Sequence, residues 1–316
     1  MRLWPLVLLL LLASCRPGAS PTIQVDSTLA SLVSPDTVML AGIRVEPIRS
    51  TPLYKQYVAN RKSIPALDEF VRETGLDPRR DVQEVLAASD GNDIAVLAKG
   101  RFSRNELEAK LEREGAKRLG YKSYTLLGDE PGAVVFLDSS TAVAAPARVL
   151  RAVIDLRDRK RGGIPASLLA KVNAISSNNQ IWFAGNVAGQ LPRLDFGSSG
   201  NLANLNNLTR GLESVTASVD LRNGIDAQAV AASATEQDAK MLNNTLRGLV
   251  GLGRLSTPEN RRDLLRLYDG IAVSHDKKTV TAGAKIPADL LDEVIRLLDR
   301  GTRDAPVAKL DVGGYK

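Results

Sequence analysis

One cysteine, Cys15, and one histidine, His275, are all that a chain of 316 residues carries of either type. A lone thiol closes no intramolecular disulfide, and one thiol with one imidazole cannot build the nitrogen and sulfur sites that hold zinc or copper. The fold must therefore rest on its apolar core alone. With 44% apolar and 25% charged residues the composition is that of a globular protein. Aromatics are only 4%, so Ala, Leu and Val must supply that core. The length suits one large domain or two of ordinary size. A net charge of +6 is a mild excess at this length. Nucleic-acid binders concentrate basic charge on one face, so no nucleic-acid partner is expected.

The place of the cysteine says more than its number. Behind Met1-Arg2, the ten residues from Leu3 to Leu12 are apolar apart from the bend at Pro5, and Ala13-Ser14-Cys15 closes the run. Crossing hydrocarbon as a helix takes about 20 apolar residues, so the run has the length of an export signal. Leu12-Ala13-Ser14-Cys15 resembles the lipobox of bacterial lipoprotein precursors. That resemblance implies removal of residues 1–14 and diacylglycerol on the sulfur of Cys15. It also implies attachment to a membrane through this N-terminal lipid, in the cell envelope, facing the periplasm or the exterior. Arg16 after the cysteine, in place of Asp, favours the outer membrane in a diderm. An ordinary cleaved signal peptide and a retained helix are the other readings of the run. Residues 15–33, opening with Arg16-Pro17-Gly18-Ala19-Ser20-Pro21, read as a flexible tether.

Residues 34–160 read as an α+β half. A β-rich run leads to Ile48, Thr51-Pro52 and Ile64-Pro65 open two short helices, and Gly75 stops the second. Gly75-Leu-Asp-Pro-Arg-Arg-Asp-Val82 resembles a segment of uncharacterised exported bacterial proteins, which implies passage from a helix into a strand and no activity. Asp93 to Lys99 has the apolar core of a central strand. Ser103 and Glu106 form a capping box ahead of a helix that Gly115 ends. Lys117 to Leu127 and Ala133 to Leu137 form a hairpin around Gly128 to Gly132. Asp138 to Thr141 turns into Ala142 to Ala145, and Pro146 opens a helix with Val149, Leu150, Val153 and Ile154 on one face. The run from Arg157 to Gly163, charged and then glycine-rich, marks the boundary. Basic residues at a helix end complement its dipole, and Arg157, Arg159, Lys160 and Arg161 are a candidate patch for an anionic partner or lipid phosphate.

Residues 161–179 are a helical connection, and residues 180–301 repeat the pattern. Gln180 to Asn186 is a strand. Leu202, Leu205, Leu208 and Leu212 form a helical stripe. Asn223-Gly224 joins two strands as a hairpin. Thr235 caps a helix bearing Ala239, Leu242, Leu246 and Leu249. Strands Gly270 to Ser274 and Thr279 to Ile286 flank a turn at His275 to Lys278. A last helix carries Leu290, Leu291, Val294, Ile295 and Leu298 up to Gly301. Residues 302–316 read as a loose tail. Each half ends in hairpin then helix, so the expected architecture is α+β, with two similar halves, each an antiparallel sheet with helices on one face, and a candidate duplication.

Catalytic patterns are absent or misplaced. Ser274-His275-Asp276 holds the three triad residue types in sequence, but neighbours on a strand point to opposite faces. Ser274 to Lys277 fits Ser-x-x-Lys without its partner motifs. No Gly-x-x-x-x-Gly-Lys or calcium-loop pattern exists. Gly248, Gly251 and Gly253 reverse the dinucleotide fingerprint and read as helix packing or a helix end. Asp289, Asp292 and Glu293 read as a solvated helix face. Trp182, the tryptophan left after cleavage at Cys15, reads as core. No catalytic residue, cofactor or metal site is expected. The expected function is a lipid-anchored envelope protein, non-catalytic, that binds an envelope protein or an apolar ligand or serves a structural role. A lipid or lipoprotein carrier with an apolar cavity and a carboxylate-dependent hydrolase are the alternatives.

Overall fold

The structure is a computed structural model that describes residues 21–60, 64–188 and 211–304, with side chains as far as residue 297. Cys15, the signal segment, the Leu202 to Leu208 stripe and most of the tail lie outside these residues. Among the described residues, twelve strands form one antiparallel sheet. They are β1 (Met39–Arg44), β2 (Val82–Ser89), β3 (Ile94–Gly100), β4 (Lys117–Tyr121), β5 (Tyr124–Gly128), β6 (Ala133–Asp138) and β7 (Thr141–Ala145). The second half adds β8 (Ile181–Asn186), β9 (Leu212–Asp220), β10 (Ile225–Ser233), β11 (Ile271–Asp276) and β12 (Thr279–Ile286). Their order across the sheet is β11-β12-β10-β9-β8-β1-β2-β3-β7-β6-β5-β4.

Eleven helices accompany the sheet among the described residues. They are α1 (Ser27–Ala30), α2 (Val45–Arg49), α3 (Pro52–Tyr54), α4 (Pro65–Thr74), α5 (Pro78–Asp81) and α6 (Arg104–Arg113). Then come α7 (Ala147–Arg159), α8 (Ala166–Val172), α9 (Glu236–Leu255), α10 (Arg262–Asp269) and α11 (Leu291–Asp304). The helix expected to stop at Gly301 thus runs on to Asp304.

The expectation of two separate sheets is corrected. β1 and β8, the first strands of the two halves, pair antiparallel with Ala41 opposite Phe183, so the sheet is continuous through the seam. Helices on one face only is also corrected. Leu126 and Leu127 are neighbours on β5, point to opposite sides, and enter different cores. Leu126 joins Leu40, Leu86, Leu97, Val135, Val143 and Trp182 beneath α7 and α8. Leu127 joins Phe136, Phe102 and Leu107 of α6. Strands apolar on both faces need a cover on both, and the first half supplies one on each side.

The halves share a strand plan. β1, β2 and β3 are adjacent in sequence order and β7 returns to pair with β3; β8, β9 and β10 are adjacent and β12 returns to pair with β10. The first half inserts the further pair β4 and β5. That pair was read as one strand, but Lys117 to Leu127 folds back at Lys122-Ser123, with Tyr121 opposite Tyr124. His275 and Asp276 belong to β11 and not to its turn, and Leu212 opens β9 and not a helix. Asn223-Gly224 forms its hairpin, with Asp220 opposite Asp226 and Gly224 at φ 102°.

The expected tether is likewise corrected from residue 21 on. Ile23 N donates to Ile175 O (3.0 Å), Ser177 N donates to Pro21 O (2.9 Å), and Thr22 bridges Ser176. Asp26 caps α1 by accepting from Thr28 N and Leu29 N, and Ile23, Leu29, Leu32 and Val33 are buried in the main core. This segment is core because its apolar residues fill the space between α7 and the sheet.

Candidate functional site

On the side of the sheet that carries Leu127 and Phe136, strand alternation brings a row of small apolar residues together. Ala217, Phe183, Ala41, Ala87 and Val96 are register partners across β9, β8, β1, β2 and β3. Beside them, Val219, Ile181, Ile43, Val85 and Ala98 form a second such row. The α6 core reaches across this face as far as Val85 and Ala98, whereas among the described residues the apolar side chains nearer the seam are less covered. Ile43, Val96 and Ile94 expose 39%, 38% and 57% of their surface. The remaining members of both rows are half-buried or exposed. The opposite face at the same strands is closed, with Leu40, Leu86, Leu97 and Trp182 buried.

A second cluster is charged. Asp26, Arg44, Glu46, Glu84 and Lys99 line a hollow of about 410 Å³ at the end of β1 to β3. Burial pushes the Glu84 carboxyl above the ordinary glutamate range and Asp26 adds to it, against the opposing pull of the Asp26 N–H, Arg44 and Lys99. Two carboxylates in one hollow are what a hydrolase would need. Here, however, Asp26 Oδ1 is engaged by the α1 amides at 2.9 and 3.1 Å, and Glu84 Oε1 accepts from Asp26 N at 3.4 Å. Glu84 thus ties the N-terminal segment to the sheet, while Asp26 caps that segment's own helix and lies 3.9 Å from the Lys99 amine.

The basic residues at the α7 terminus are partly engaged. Arg157 donates to Leu137 O (3.1 Å) and to Asp138 (3.3 Å), while Arg159 lies 3.9 Å from Asp155. Lys160 is the left-handed cap of α7, and Arg161 N donates to Leu156 O. Nearby, Lys122 bonds Asp155 and Asp158, which hold its amine above the usual lysine range. Of the acids at the start of the last helix, Asp289, Asp292 and Glu293 are each taken. Asp289 pairs with Arg266 (2.8 Å), Asp292 accepts from the Tyr57 hydroxyl (2.6 Å), and Glu293 binds Arg261 (2.6 Å) and Arg296 (3.1 Å). Asp292 and burial raise the Tyr57 hydroxyl above its ordinary range.

Ser274, His275 and Asp276 alternate along the edge strand β11, opposite Thr281, Val280 and Thr279, and do not converge. Of the three helix glycines, Gly253 lies against the Tyr268 ring, where a Cβ would stand 2.7 Å from it, whereas Gly248 and Gly251 meet nothing. Among the described residues, no group of three or more His, Cys, Asp or Glu side chains could hold a metal ion. None of the described helices is long and apolar enough to cross a membrane. The alanine row is not legible in the sequence because Val82 to Ser89 gives no strand reading of its own, and the pairing of Ala41 with Ala87 and Phe183 is set only by the assembled sheet.

No protein-family model matches the sequence, and no curated protein matches it. Among solved structures, the chain is similar to TP0453, a Treponema lipoprotein of unknown function. Crystal form III of TP0453 aligns with a TM-score of 0.47 at 10% identity, covering 84% of this chain and 96% of that one. Crystal form I gives 0.43 at 11% identity over 87% and 98%, and crystal form IV gives 0.44 at 9% over 88% and 98%.

Proposed function

We propose that this chain is a lipid-anchored protein of the cell envelope, non-catalytic, that binds an apolar chain on the open face of its sheet. Cys15 is the anchor, in the outer membrane if the cell has one. The binding role rests on the row Ala217, Phe183, Ala41, Ala87 and Val96. Exposed contiguous apolar surface on a folded chain marks a binding site more often than it marks nothing. The alanines keep the row low between Ile43 on one side and Ile94 on the other, with Phe183 inside it. Four steps between strands of about 4.8 Å make it about 19 Å long, comparable with an extended long-chain acyl group. Engaged carboxylates in the hollow at the end of β1 to β3 support the non-catalytic part of the reading.

Fluorescence titration of residues 15–316 with Cys15→Ser, in which Trp182 is the one tryptophan, with a long-chain fatty-acid probe tests it. Binding should saturate, and Val96→Lys should weaken it at least about tenfold, equivalent to about 1.4 kcal/mol. Val96 is already 38% exposed, so the variant keeps its fold, which the emission of buried Trp182 verifies. An unchanged affinity in Val96→Lys sinks the proposal.

We also infer that the halves are copies of one unit, the first with the pair β4 and β5 added. Antiparallel pairing of the equivalent strands β1 and β8 is what a two-fold axis through the seam produces. Rotation by about 180° around an axis between Ala41 and Phe183 should lay β1–β3 on β8–β10. A best superposition far from that rotation would end this reading.

A further inference from the structure

The exit of the N-terminal segment and the basic end of α7 lie at the same end of the sheet. Arg44, Glu84, Lys99, Thr141 and Asp138 are register partners in one row across β1, β2, β3, β7 and β6. At one end of the row, Arg44 Nη1 donates to Ser177 O (2.6 Å), and Ser177 N donates to Pro21 O (2.9 Å). At the other end, Arg157 donates to Asp138 (3.3 Å). The four steps between these ends span about 19 Å.

Arg159, Lys160 and Arg161 follow directly, all exposed. Lys160 turns the chain at φ 53°, which leaves these three side chains on the rim of the molecule. Around them Lys122, Arg157, Arg159, Lys160 and Arg161 outnumber Asp138, Asp155 and Asp158. Arg159 keeps 64% of its side chain in solvent beside its nearest acid.

The tether is short. Pro21 is pinned, so Cys15 lies at most about 22 Å from it even with the chain fully extended. Strands β2 and β3, which meet at the Asp90 to Asp93 turn, have eight and seven residues and measure about 25 Å. A membrane held through Cys15 is therefore met by the end carrying Ser177 and Arg157, and the Asp90 to Asp93 turn at the opposite end stays away from it.

We propose that this end of the sheet rests on an anionic lipid surface, with Arg159, Lys160 and Arg161 against headgroup phosphates. The proposal rests on the anchor assigned to Cys15 and adds which way the molecule faces. Basic residues near an anionic leaflet act through long-range attraction that salt weakens.

The test uses residues 15–316 with Cys15→Ser, which carry neither the apolar run Leu3 to Leu12 nor an acyl group, and vesicles of phosphatidylcholine with or without phosphatidylglycerol. The protein should sediment with the phosphatidylglycerol vesicles only, and added salt should release it. Combining Arg159→Gln, Lys160→Asn and Arg161→Gln should weaken this partition on the order of 100-fold, with thermal unfolding unchanged. Equal partition onto both vesicles, or no difference between the variant and its parent, overturns the proposal. A polarity-sensitive label at Asn178→Cys should respond to the vesicles and one at Asn92→Cys should not; the reverse overturns the orientation. Labelled palmitate on the native chain reads the anchor separately. Loss of label with retained charge-dependent binding removes the anchor alone, and the opposite result removes the lipid-facing surface alone.

Discussion

Gly42 and Trp182 face each other across the seam, and each limits what the other can be. A Cβ on Gly42 would fall inside the Trp182 indole, whose side chain is 2% exposed. Gly42→Ala should therefore destabilise by about 1–3 kcal/mol through overpacking, measured by denaturant unfolding. Trp182→Phe in the same chain should recover part of the loss, and a simple sum of the two losses would count against this account. From sequence, Ile181-Trp182-Phe183 is legible as core; Gly42 as its partner is not, because register belongs to the assembled sheet. Glu84 was equally hidden, since nothing in Gln83-Glu84-Val85 announces burial. Its carboxyl is held above the ordinary value, so its contribution to stability is complete below the unfolded value of about 4.3 and is lost as pH rises through the folded one. Thermal unfolding of wild type and Glu84→Gln should show the wild type losing ground as pH rises from about 4 toward neutrality. Parallel curves would refute this. Asp90, held low by the amides of Asp93 and Asn92, works in the other direction and loses its contribution as pH falls.

The segment at residues 21–33 shows how far an element can depart from its composition. Pro, Ser, Thr and Asp make it look like a tether, yet Leu29 is completely buried. Leu29→Ala should cost about 2–5 kcal/mol, read from denaturant midpoints; a cost near zero would restore the tether. Gly162, read as flexible, is instead a close-packing site where a side chain would strike Ser31 O, and Gly163 N donates to Val33 O. The fold of Lys117 to Leu127 was illegible for a related reason. Its turn, Lys122-Ser123, has no Gly, Asn or Pro to announce it, and Lys122 sits at φ 52° while it binds Asp155 and Asp158 on α7. Elements whose signals are local were legible, such as the capped helix α9 and the Asn223-Gly224 hairpin. Those fixed by distant partners were not.

Over the whole molecule, the decisive fact is one sheet in place of two. Both edges are modest: β4 is short with Lys117 and Arg118 at its start, and β11 ends in His275 and Asp276, features that discourage pairing with another chain. Cutting the chain between the halves would replace a guarded edge with β1, whose sequence Met-Leu-Ala-Gly-Ile-Arg has one charge. A fragment of residues 21–160 should therefore aggregate where the whole chain stays monomeric, by size-exclusion chromatography. A monomeric, folded fragment would show the halves to be independent. Tension brings out one more property of the pinned N-terminal segment. A pull on residue 15 enters at Pro21 to Ile23, which is bonded to Ile175 and Ser177, and Ser177 is in turn gripped by Arg44 of β1. Force is thus divided between both halves beside the seam rather than peeling one strand from an edge. Single-molecule extension from residue 15 against residue 304 should show one large rupture, with Arg44→Ala lowering its force.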